Sequence, residues 1–209
     1  MPRAFCAPSV PMRQTGRFLL EALFVKKHQL TLTLCEAAIF VAAALVLSYI
    51  KIPVGFLFGG FGGSIDFVMV PLIVYAVRRG TGWGVAAGLI FGTMKFFFAG
   101  GSAVSWQSML LDYSLAYAAV GLAGLWRRMR RPLTGGAVIG CLGRFAIHYL
   151  SGVTIYAQYM PERFMELTMT TPALYSLLYN GSYMSVNTLL AILVCALLEK
   201  PMEKFIKEA

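Results

Sequence analysis

The chain has 209 residues, of which 58% are hydrophobic and only 13% charged, with a mean hydropathy of +0.71. That leaves too few polar side chains to cover a soluble domain of this size, and too many aromatic and aliphatic ones for a disordered chain. The net charge of +9 falls in short clusters between apolar runs, not in a basic stripe interleaved with exposed aromatics, which argues against a nucleic-acid partner and for a lipid bilayer.

Residues 1–29 carry Arg3, Arg13, Arg17, Lys26 and Lys27, and their one apolar stretch, 18–25, is short and holds Glu21. No small-residue cleavage site follows, so the segment reads as a basic, amphipathic cytoplasmic tail, not a signal peptide. Crossing the hydrocarbon layer takes roughly 20 apolar residues in a helix, because backbone groups cannot be left unpaired in lipid. Six stretches qualify: helix 1 over 30–50, helix 2 over 64–77, helix 3 over 82–98, helix 4 over 105–126, helix 5 over 134–156 and helix 6 over 173–198. Helix 2 is short and reads as tilted or partly re-entrant. Segment 55–63 (GFLFGGFGG) is irregular, Gly100-Gly101-Ser102 breaks helices 3 and 4, and 159–172 is a longer polar connection. The expected fold is therefore an all-α integral membrane protein with six transmembrane helices over 30–199 and a short tail over 200–209.

With the N-terminus inside, five basic residues lie in the N-terminal tail, two at 78–79, four at 127–131 and three in the C-terminal tail. These make 14 of the 18 Lys and Arg residues. Lys51, Lys95 and Arg163 fall on the outer side, and Arg144 lies within helix 5. The bias sets both termini in the cytoplasm.

Ionisable groups within membrane spans are costly and mark function by default. Asp112, early in helix 4 and followed by Tyr113, is the leading candidate; the alternative is an Asp paired with Lys95 or Arg144 for packing. On helix 5, Arg144, His148, Gly152 and Tyr156 recur every four residues and share a face. A small residue between His and Tyr leaves a gap for a flat ring, or else serves as a helix-packing contact. Tyr175 and Asn180 open helix 6, where an Asn is a ligand contact or interhelical glue. Together they would line one outward-facing pocket suited to a small, flat, cationic heteroaromatic. Ala38 and Ala42 form a small-residue face on helix 1, for packing within the chain or for docking a partner subunit. The four cysteines are spread singly, and no catalytic arrangement, metal-ligand set, cofactor motif or ATP-binding loop is visible.

Four segments carry a resemblance: GGSIDFVMVPLIVYAVRRGTGWGVAAGLIFG (62–92), LLDYSLAYAAVGLAGL (110–125), RFAIHYLSGV (144–153) and YSLLYNGSY (175–183). In combination they resemble the thiamine-specific S components of energy-coupling factor transporters, over about residues 33–198. The resemblance implies a six-helix subunit of a bacterial plasma membrane that binds thiamine from outside with high affinity. It also implies partners, a transmembrane coupling subunit (the T component) and two ATPase subunits. The family's acidic-Tyr pair falls on Asp112 and Tyr113, its helix 5 ligands on His148 and Gly152, and its helix 6 ligands on Tyr175 and Asn180. At the family's stacking Trp this chain has Tyr156, and the first outer loop offers Phe56, Phe58 and Phe61 in place of a Trp, with Trp106 as a substitute. A stand-alone proton-coupled carrier with Asp112 as the coupling acid is the second reading.

Overall fold

The computed structural model describes residues 12–54 and 63–208. Contacts divide the chain after Glu36, and the cavity described below lies in the second unit, Ala37–Ala209. The helices are α1 (Met12–Leu47), α2 (Met69–Arg79), α3 (Thr81–Phe98), α4 (Trp106–Trp126), α5 (Pro132–Thr154), α6 (Pro172–Leu198) and α7 (Glu203–Lys207). Two antiparallel strand pairs join them among the described residues: β1 (Ile52–Pro53) with β2 (Ser64–Ile65), and β3 (Arg163–Phe164) with β4 (Leu167–Thr168).

Four of these are long and apolar enough to cross a membrane: Lys27–Leu47 within α1, then α4, α5 and α6. Their outward faces carry large apolar side chains, as in the row Leu189, Leu193 and Leu197 on α6. A soluble protein does not leave such faces uncovered. The chain is an all-α membrane protein.

Three expected boundaries move. Helix 1 starts at Met12 instead of residue 30, so much of the expected tail is helical backbone. Helix 2 starts at Met69 and has 11 residues, not the span from 64, and Met69 to Arg78 are all buried. Its lost first turn has a local cause. Ser64 and Ile65 pair with β1, and Asp66 Oδ1 accepts from the Val68 amide at 3.4 Å, an Asx-type turn that starts the helix late. Past α6 the expected tail folds back. Ile206 is buried, and Arg78 of α2 donates to the Phe205 carbonyl while lying 3.8 Å above the Phe205 ring.

Glycine sets the spacing of the interior. Gly84, Gly88 and Gly92 recur every four residues along α3. A Cβ built on Gly88 would stand 2.1 Å from the Tyr117 carbonyl oxygen, and one on Gly92 2.2 Å from that of Tyr113. The backbones of α3 and α4 are thus in direct contact, which only a small-residue seam permits. At the far end of α5, the Glu199 carboxylate, just past α6, accepts from the Leu133 and Thr134 amides at 3.2 and 2.9 Å. An anion on a helix N-terminus satisfies otherwise orphaned donors and complements the dipole, locking α5 to α6.

Candidate ligand-binding cavity

A cavity of about 250 Å³ opens among α3, α4, α5 and α6. That is at the lower edge of the roughly 300–1,000 Å³ usual for small-molecule sites, so its occupant is small. The eight residues singled out in the sequence, Asp112, Tyr113, Arg144, His148, Gly152, Tyr156, Tyr175 and Asn180, all line it.

Asp112 sits in a six-residue π-helical stretch, Leu110–Leu115, within α4. Such a bulge changes the angular step between neighbouring side chains and recurs at functional sites. The carboxylate meets α5 in two places. Oδ1 lies 3.0 Å from His148 Nδ1, and Oδ2 accepts from Ser151 Oγ at 2.9 Å. Neither Lys95 nor Arg144 holds it.

Instead Arg144 donates from Nε to His148 Nε2 at 3.3 Å and from Nη2 to the Tyr117 hydroxyl oxygen at 3.0 Å. An arginine only donates, so Nε2 is the lone-pair nitrogen and Nδ1 carries the hydrogen that faces Asp112. His148 is then a neutral imidazole that donates to the carboxylate.

Lys95 is no outer-surface charge. It is 6% exposed, lines the cavity, and donates to Asp66 Oδ2 at 3.0 Å and to the Tyr117 oxygen at 2.6 Å. Asp66, 3% exposed, also accepts from Ser64 Oγ, and its amide donates to Asn187 Oδ1 at 2.9 Å. Asp66, Lys95 and Tyr117 carry no motif signal of their own. Their importance comes from pairing across 29 and 22 residues of sequence. The pair of an Asp before an apolar run and a Lys inside one was the available hint, since each needs a partner in lipid.

Gly152 lines the cavity, but the space before its Cα is filled: a Cβ there would stand 2.2 Å from Ser176 Oγ. It is a packing contact with α6 and opens no gap for a ring. Asn180 behaves similarly, with Nδ2 donating to the carbonyls of His148 and Ser176 at 3.3 and 3.1 Å, and Oδ1 accepting from Tyr183 at 2.8 Å. Its amide ties α6 to α5.

Tyr156 lies beyond the end of α5, in a 3-10 turn, Tyr156–Tyr159, so the four-residue stripe from Arg144 ends on a different helical pitch. Tyr175 begins a ladder with Tyr179 and Tyr183, centroids 5.7 and 6.0 Å apart along α6. Phe164 of β3 packs edge-on against Tyr175 at 5.4 Å. Tyr179 and Tyr183 also line the cavity, and the i, i+4 spacing of the three tyrosines was a readable signal for them. Trp106 is 68% exposed and is not among the lining residues; it does not substitute for a loop Trp. Phe56, Phe58 and Phe61 lie outside the described residues. Among the described residues no group of three His, Cys, Asp or Glu side chains is placed to hold a metal ion.

A protein-family profile described as thiamine transporter protein (Thia_YuaJ) matches residues 34–207. The thiamine transporter ThiT of Bacillus subtilis is 30% identical over 179 residues, covering 79% of this chain and 88% of the relative. The thiamine transporter ThiT of Lacticaseibacillus paracasei is 27% identical over 190 residues, covering 83% and 90%. Among solved structures, ThiT from Listeria monocytogenes superposes with a TM-score of 0.72 at 26% identity, covering 85% of this chain and 98% of that one. The family, the membrane-helical fold and the polar cavity within it agree, and the chain belongs to the thiamine transporter protein family.

Proposed function

We propose that this chain captures thiamine from outside the cell as the high-affinity S subunit of an energy-coupling factor importer. The observation that carries the substrate assignment is Asp112: a carboxylate at a small aromatic-lined cavity, hydrogen-bonded to His148 and Ser151 and, among the described residues, paired with no Lys or Arg. A thiazolium cation supplies the missing counter-charge. Tyr156, Tyr175 and Tyr113 give ring faces for stacking and cation–π attraction. His148 and Ser151 orient the carboxylate, Arg144 orients His148, and Gly152 and Asn180 hold the wall that α5 and α6 share.

The reading extends to topology and partners. The distribution of Lys and Arg supports six crossings with both termini in the cytoplasm of a bacterial plasma membrane. The short α2 is compatible with a crossing because it is buried on all sides, where irregular flanking backbone is tolerated at membrane depth. Transport then takes its energy from a T component and two ATPases, with Ala38 and Ala42 of α1 as the docking face; both are exposed.

Calorimetry on the purified chain in detergent tests the substrate. Thiamine should bind, and Asp112→Asn, which keeps the shape and removes the charge, should weaken binding at least tenfold, since truncating one partner of a desolvated charge pair costs about 2–5 kcal/mol. Unchanged affinity in Asp112→Asn would favour the proton-coupled carrier.

A further inference from the structure

Away from the cavity, the connection between α4 and α5 reads LWRRMRR over 125–131. Four of the five residues from Arg127 to Arg131 are arginine, and no Asp or Glu occurs between Asp112 and Glu162. Among the described residues, none of these four side chains has an ion pair or a hydrogen bond. Glu199, at the start of α5, is engaged by the Leu133 and Thr134 amides and the Thr134 hydroxyl, and pairs with no arginine. The lysines of α7 are balanced where they stand: Lys204 pairs with Glu208 and Lys207 with Glu203. Like charges this close repel one another, so the arginine segment lacks the compensation that α7 carries within itself.

The segment follows directly on the apolar span that ends at Trp126, where a membrane helix meets the lipid headgroups. Arg128, Arg130 and Arg131 are exposed. So are the apolar side chains beside them, Leu125, Trp126 and Met129, at 61%, 37% and 53%. Two glycines seat this stretch. A Cβ on Gly135 would stand 2.0 Å from Trp126 Nε1, and one on Gly80, at φ +95°, 2.8 Å from Arg127 Nη1. The indole therefore lies on the first turn of α5, and the Arg127 guanidinium on the turn between α2 and α3. Exposed Trp, Leu and Met interleaved with Arg make an interfacial anchor.

We propose that residues 125–131 form a binding site for an anionic phospholipid. Arg128, Arg130 and Arg131 hold its phosphate, and Leu125, Trp126 and Met129 pack on the upper part of its acyl chains. Guanidinium groups match phosphate oxygens two at a time, and clusters of four or more basic residues immediately beside a membrane span attract anionic lipid. A topology signal needs only the number of basic residues, which paired lysines would supply as well. Unpaired guanidinium groups beside exposed apolar side chains go further. An acidic protein surface would satisfy the arginines and leave Leu125, Trp126 and Met129 uncovered. A lipid carries phosphate and hydrocarbon on one molecule and covers both.

The test uses the purified full chain in a neutral detergent and reads its melting temperature while phosphatidylglycerol is titrated in. Phosphatidylcholine with the same acyl chains and inorganic phosphate are the comparison probes. Phosphatidylglycerol should stabilise the wild type by about 5 °C or more at saturation, and neither comparison probe by more than about 1 °C. Each basic residue near an anionic surface is worth roughly fivefold in affinity. Arg128→Gln/Arg130→Gln should therefore raise the phosphatidylglycerol concentration at half-effect about twentyfold. Lys204→Gln/Lys207→Gln removes the same charge from lysines that are already paired, and should raise it less than about threefold. If the arginine variant does not fold, a photoactivatable phosphatidylglycerol maps the contact on the wild type. Adducts within 125–131 would support the site, and adducts confined to other segments would overturn it. Equal stabilisation by phosphatidylcholine or inorganic phosphate, or equal shifts in the two double variants, would overturn it as well.

Discussion

Tyr156 is where the chain departs most clearly from the Trp that the family resemblance leads one to expect, and it tests the proposed placement of the ligand. Tyr156 lines the cavity from the 3-10 turn after α5. Tyr156→Trp enlarges the aromatic face and strengthens cation–π attraction, so thiamine should bind two- to tenfold more tightly, a gain of about 0.5–1.5 kcal/mol; calorimetry reads it directly. Weaker binding would place the thiazolium elsewhere. At this scale the sequence was informative about which residues reach the cavity and less so about what each does there. The rarity of charge in lipid picks out Asp112, and helical spacing picks out the Arg144 face, because both rules act locally. The role of Gly152 was ambiguous, since a missing side chain reads the same whether a ligand or Ser176 fills the space. Asp66 escaped notice, and Lys95 was weighed only as a partner for Asp112, because three separate segments must fold before these two and Tyr117 meet.

Helix spans were legible because apolar length is a strong and local quantity. The ends of α3, α4, α5 and α6 fall within two residues of expectation, and Thr171-Pro172 marks the start of α6 by a side-chain cap and an N1 proline. The late start of α2 was not legible, as it depends on β-bridges to residues 11 and 13 positions away. Nor was the π-helical stretch Leu110–Leu115, which has no residue signature. The seam of Gly84, Gly88 and Gly92 was readable, and it positions the site, because Gly92 touches the backbone of Tyr113, next to Asp112. A single methyl there must push α4 away from α3. Gly92→Ala should therefore lower thermal stability by about 1–3 kcal/mol, the usual cost of overpacking, and weaken thiamine binding with it. Gly82→Ala is the control on the same helix. A Cβ there meets nothing within 4 Å, so it should be neutral or stabilising by about 0.4–1 kcal/mol through the unfolded chain. Equal behaviour of the two variants in a detergent melting experiment would remove the seam as the device that places Asp112.

For the whole molecule, a cavity alone binds and does not transport, and nothing in the chain binds ATP by a recognisable loop. The proposed coupling module must therefore grip a surface of this protein, and α1 offers one. Ala38 and Ala42 are exposed, while Val41 and Ala44 of the same helix are buried against the core. Packing against the described residues of this chain therefore does not account for the small-residue face, which is open to lipid or to another helix. Lipid needs no small residues, whereas close helix–helix approach does. Replacing both alanines with leucine leaves the buried side of α1 and the cavity residues untouched. Thiamine affinity of the isolated subunit should stay within about twofold, and its melting temperature should hold. Co-purification with the T component and ATPases should be lost, and with it ATP-dependent uptake into vesicles. The pairing of intact binding with lost uptake separates a docking defect from a folding one. Assembly and uptake that survive the double substitution would assign that face to lipid and send the search for the docking surface to another helix.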